Sequence, residues 1–163
     1  MINEHFDKNE IYLIILLVAF FAAVLFFPKK LKPHIAVFGL LWGIMVGTIF
    51  DFTLGGGLMD FYKVNDSNHY ELFDVLYYLL FAPFGYFFIY FYEVFQIRKY
   101  AFLIYILAWS VFGVLMQWGF IAMGIISLQR GYQISYSLIV FLVTQTVTGL
   151  YIEILKRKEQ LTK

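Results

Sequence analysis

Six titratable side chains, Asp51, Asp60, Asp66, His69, Glu71 and Asp74, crowd into one short stretch of the chain against a single cation, Lys63. Carboxylates with one imidazole suit a hard or borderline cation such as Ca²⁺, Mg²⁺ or Mn²⁺. Asp51 and Asp74 could also form a pair for acid/base chemistry, one holding a proton and one ionised. No spacing in the stretch matches an EF-hand loop or a zinc-protease helix. Helix ends account for part of the charge. Asn68 and Glu71 have the spacing of a capping box, Glu71 and Asp74 fit the first turn of the helix that follows, and Gly55, Gly56 and Gly57 suit the end of the helix before. Asp51, Asp60 and His69 are left unexplained, with Asp74 at the same level. These four form the candidate ligand- or ion-binding set. A solvated acidic loop with helix caps is the simplest reading, ahead of a site for a divalent cation or small ligand, and acid/base catalysis comes last.

The elements around this stretch are apolar. The chain of 163 residues is 62% hydrophobic and 14% charged, with a mean hydropathy of +0.77. Runs long enough to cross a bilayer recur at about residues 11–27, 35–54, 72–95, 101–126 and 134–155. Alternating ten-residue segments of a β-barrel are absent. The expected fold is therefore all-α, a single domain of five membrane-spanning helices in contact with the lipid bilayer. Lys29, Lys30 and Lys32, then Arg98 and Lys99, then Lys156, Arg157, Lys158 and Lys163 fall on one side of such a bundle. By the positive-inside rule the amino terminus and the acidic stretch lie outside and the carboxyl terminus in the cytoplasm. Lys156 to Lys158 read as topogenic rather than lipid-specific. The residues before the first run carry Glu4, Asp7 and Glu10 against Lys8, the wrong sign for a signal peptide. The absence of cysteine excludes disulfides, thiolate metal sites and Cys nucleophiles. A net charge of +1 gives no support to nucleic-acid binding.

Packing signals sit inside the runs. Gly39, Gly43 and Gly47 repeat the small-xxx-small spacing that lets two helix backbones approach in lipid, and Asp51 is the next position on that row. If the glycines face another helix, Asp51 points into protein, where a carboxylate is least costly. Packing within the monomer is favoured over a homo-oligomer or a partner membrane protein. At 1.5 Å per residue Asp51 lies roughly 25 Å along its span, near the outer interface. The third run holds Pro83, which frees the carbonyl of Leu79, so a break or kink is expected there. Gln117 and Gln145 are amides well inside apolar runs, and each needs a partner there; interhelical hydrogen bonding, with one another as one option, is favoured over contact with a substrate. Arg130 is expected to neutralise Asp51 or Asp74 across the bundle.

The run of Asp51, Gly55, Asp60-Phe61-Tyr62, Asn65-Asp66, Tyr70-Glu71-Leu72-Phe73-Asp74 and Ala82-Pro83-Phe84-Gly85-Tyr86 resembles small multi-span membrane proteins of Bacillus-type spore-forming bacteria. The resemblance covers about a third of the chain. It implies a bacterial plasma membrane and the five-helix form, and carries no mechanism or catalytic residue. The size also invites comparison with five-span tryptophan-rich sensory proteins, whose pattern of prolines and tryptophans is missing. The functional reading is a non-enzymatic binding, accessory or sensing component with an acidic outer-face site. A small transporter subunit or channel-like oligomer comes next, and a membrane enzyme with paired carboxylates third.

Overall fold

The structure is a computed structural model that describes residues 7–55, 58–64 and 72–161. Its elements are α1 (Lys8–Phe26), α2 (Pro33–Leu54), β1 (Tyr62–Val64), α3 (Leu72–Val94), α4 (Tyr100–Ala122), β2 (Ile126–Leu128) and α5 (Ile134–Leu161). All five helices are long and apolar enough to cross a membrane, the all-α architecture of a multi-pass membrane protein. Pro33 opens α2 at its first position, where a missing N–H costs nothing. Pro83 lies inside α3, which continues through it from Leu72 to Val94, so the expected interruption does not end the helix.

The fourth expected span is too long at its end. α4 stops at Ala122, and Gly124 takes the left-handed conformation (φ +76°). Gly124 N–H donates to Ile121 O and Ile125 N–H to Phe120 O, the two bonds of a Schellman cap, with Ile125 and Phe120 both buried. The chain released there forms β2, which pairs antiparallel with β1 in the register Tyr62 to Leu128, Lys63 to Ser127 and Val64 to Ile126. Two loops read as separate connections are thus tied into one small sheet.

The helices group by how closely their backbones approach. α2 buries Gly39, Gly43, Gly47 and Asp51. This row lies on α3: a Cβ on Gly43 would collide with the carbonyl of Phe81, and one on Gly85 would stand 2.7 Å from Gly43 Cα. α1 packs on the other side of α3 through the fully buried Leu13, and turns Val18 and Leu25 outward. α4 and α5 form a second pair, in which a Cβ on Gly113 would come within 2.8 Å of the Phe141 ring and one on Gly149 within 2.7 Å of Phe102.

Large rings hold the two groups apart and together. Phe88 of α3 meets Tyr105 and Trp109 of α4 at ring separations of 5.1 and 5.6 Å, and Tyr105 donates to the Phe88 carbonyl at 2.5 Å. Trp42 of α2 reaches α5, stacking on Tyr151 at 4.8 Å and donating its indole N–H to Thr148 Oγ1 at 3.0 Å. One buried cluster, with Leu13, Tyr62, Tyr77 and Phe120, lies at the sheet end, and another, with Phe88, Tyr92, Tyr105 and Ile152, at the opposite end.

Gly43→Val or Gly85→Val is expected to drive α2 from α3 and lower stability by about 1–3 kcal/mol or more, read as an earlier melting transition of the purified protein. Gly119→Ala, with open space around its Cβ position, is the control and should melt within about 0.5 kcal/mol of wild type.

Candidate functional site

Where the two groups of helices stand apart they enclose a cavity of about 150 Å³, bounded by α2 and α3 on one side and α4 and α5 on the other. Its walls are mainly rings, among them Phe81, Phe84, Phe112 and Phe141. Polar groups converge on it from Tyr62, Tyr77, Gln117, Tyr132, Ser137 and Gln145. Gln117 and Gln145 therefore share one cavity, but no hydrogen bond joins them among the described residues. Gln117 Oε1 is buried without a hydrogen-bond partner there. Of the options the sequence left open, a bond between the two amides is not the one formed: both side chains line the cavity.

The sheet end of the cavity is closed by Tyr62 and Tyr77, and the acidic residues lie beyond them. Asp51 is buried, and Tyr78 donates its phenolic proton to Asp51 Oδ2 at 2.7 Å. Asp51 Oδ1 is also buried but has no hydrogen-bond partner among the described residues. It is pressed against the helix end, where a Cβ on Gly55 would fall 2.8 Å from Oδ1 and 3.0 Å from the Tyr62 ring. Gly55 is therefore required for space. Burial, reinforced by the nearby charge of Asp51, pushes the Tyr62 phenol well above its ordinary range, so it stays a neutral donor. Asp74 is buried in the first turn of α3, and both it and Asp51 lie near the buried Tyr77. The two carboxylates thus share a side of the bundle as well as a level.

Asp60 has a different role. Its Oδ2 pairs with Arg130 Nη2 at 2.8 Å, while Oδ1 is buried without a partner among the described residues. The sheet explains the pairing: Asp60 precedes Tyr62 by two residues and Arg130 follows Leu128 by two, so the register that matches Tyr62 to Leu128 sets them opposite each other. Phe61 and Tyr132 stack beside them at 5.1 Å. Arg130 therefore neutralises Asp60, not Asp51 or Asp74 as the topology suggested. His69, with Asp66, Asn68 and Glu71, lies outside the described residues. Among those described, no three His, Asp or Glu side chains gather as a metal-binding group.

Sequence reasoning missed Tyr62, Tyr77 and Tyr78 as partners of the acidic residues. Their types carried a signal, since a buried carboxylate needs donors and a phenol supplies one without charge, but thirteen aromatic residues between Tyr70 and Phe95 gave no means of choosing among them.

No protein-family model, curated protein or solved structure matches this chain.

Tyr78→Phe is expected to cost about 1–3 kcal/mol, because Asp51 Oδ2 stays buried without its donor. A double-mutant cycle with Asp51→Ala should return a coupling of at least about 0.5 kcal/mol; additive effects would show that the bond contributes nothing. Tyr62 gives a pH prediction with a definite sign. A phenol whose folded pKa is raised contributes stability that is complete below its unfolded value, about 10, and is lost as pH rises above it. Melting temperature should fall progressively as pH rises above about 10, and Tyr62→Phe should flatten that slope.

Proposed function

We propose that this chain is a non-enzymatic binding or sensing component of the membrane whose ligand occupies the cavity between the α2–α3 and α4–α5 pairs. The observation that carries this reading is the buried Gln117 Oε1, without a hydrogen-bond partner among the described residues, on the wall of a ring-lined cavity. An unmet buried acceptor is costly, and a ligand that brings a donor removes that cost. A volume near 150 Å³ is enough for one aromatic ring. The ligand class is accordingly a small, flat, mostly apolar molecule bearing one N–H or O–H. Tyr62 and Tyr77 bound its sheet end, with the Asp51 and Asp74 side chains behind them. Lys and Arg placement supports an external amino terminus, and the resemblance to proteins of spore-forming bacteria supports a bacterial plasma membrane.

Benzene, phenol and indole serve as probes for the purified protein in lipid nanodiscs, read by isothermal titration and thermal shift. Phenol and indole should bind more tightly than benzene, by about fivefold if one hydrogen bond contributes about 1 kcal/mol. Gln117→Leu should erase that preference while leaving benzene binding in place. Absence of binding by all three probes, or an unchanged preference in Gln117→Leu, would overturn the reading.

A further inference from the structure

At the end of the bundle opposite the sheet, a second cavity of about 300 Å³ opens where the α1–α2 connection meets the last turns of α5. Its rim carries Lys30 and Lys32 from the connection and Lys156 from α5, with Glu93 from α3 as the one carboxylate among the described residues. The sequence places Lys156 more than a hundred positions from the other two lysines. Lys156 is held in place from two sides, pairing with Glu93 at 2.9 Å and lying 4.9 Å over the Tyr92 ring. Tyr92 in turn donates to Glu153 at 2.5 Å, so that second carboxylate is engaged beside the pocket and does not line it. Among the described residues the pocket rim thus brings three ammonium groups and one carboxylate together. Its floor is apolar, formed by Ile35 and Phe38 of α2, Ile89 of α3 and Ile152 of α5.

We infer that this pocket is a binding site for an anionic phospholipid, with the headgroup phosphate against Lys30, Lys32 and Lys156 and the start of an acyl chain on the Ile35, Phe38, Ile89 and Ile152 floor. Two features argue for a lipid over a free anion. The cations form the rim and the apolar side chains the floor, so the pocket matches a molecule with a charged head and a hydrocarbon body. The lysines also stand at the helix ends, the depth at which headgroups lie when the helices span a bilayer. Lysines explicable by topology alone thus acquire a shared target once two separate clusters meet in one pocket. The site is independent of the cavity around Gln117.

The test uses the full chain in neutral detergent, titrated with dioleoyl phosphatidylglycerol, dioleoyl phosphatidylcholine or inorganic phosphate, and read by native mass spectrometry and thermal shift. Wild type should retain one phosphatidylglycerol in preference to phosphatidylcholine, and inorganic phosphate should neither stabilise the protein nor displace the lipid. Lys30→Gln with Lys32→Gln should weaken phosphatidylglycerol binding about thirtyfold, on the scale of the attraction of two lysines to an anionic headgroup, and leave phosphatidylcholine binding unchanged. Lys30→Glu, at an exposed position that leaves the Lys156–Glu93 pair intact, should weaken it in the same direction and guards against misfolding of the double variant. Equal retention of the two lipids by wild type, an undiminished preference in either variant, or stabilisation by inorganic phosphate equal to that by phosphatidylglycerol would overturn the proposal.

Discussion

The close approach of α2 and α3 is the contact on which the rest of the bundle depends. Lipid tails are as apolar as leucine, so burying hydrocarbon side chains gives helices in a bilayer little reason to associate, and dense packing must supply the attraction. Gly43 and Gly85 supply it by removing the atoms that would keep the backbones apart: a side chain at either position would strike a carbonyl or Cα of the opposite helix. The rotation of α2 that seats the glycines also sets Asp51 on the same buried face, four residues beyond Gly47. A carboxylate that would be prohibitively placed against lipid is instead held where Tyr78 can donate to it.

The opposite choice governs the contact between the two helix groups. Where α2 and α3 meet through glycine, α3 and α4 meet through Phe88, Tyr92, Tyr105 and Trp109, and rings of that size space the helices. Spacing leaves volume, and the cavity is its consequence. It is closed at one end by the sheet, which brings Tyr62 over it, and toward the other by Trp42 reaching across to Thr148 and Tyr151. Among the described residues, the buried side-chain oxygens without a hydrogen-bond partner lie in this half of the molecule: Asp51 Oδ1, Asp60 Oδ1 and Gln117 Oε1. All three are acceptors, which only a donor can satisfy.

Charge is distributed as unevenly as packing. The sheet end carries Asp51, Asp60 and Asp74 with Arg130 paired to Asp60 and Lys63 on β1, and the opposite end gathers lysines from the α1–α2 connection and α5 around Glu93. The net charge of +1 does not reveal this separation.

Much of the helical framework was legible in the sequence because bilayer thickness imposes a length on every span and lipid imposes a composition. The small-xxx-small row was legible too, since a four-residue repeat fixes which positions share a helix face whatever the partner. Asp51 could be assigned to that face from spacing alone. Only the tertiary structure decided what the face meets. Tyr78 as the donor to Asp51, Asp60 as the partner of Arg130, the failure of Gln117 and Gln145 to bond, and the meeting of Lys30 with Lys156 all depend on which helices are neighbours and on the register of two three-residue strands. Those strands are too short to declare themselves against longer apolar runs, and Ile126 was accordingly absorbed into the helix before it, although Gly124 followed by Ile125 carried the cap signal. Local rules act within one turn or one span and can be read along the chain. The site is made of contacts between spans, and in lipid those are chosen by shape complementarity that no single segment contains.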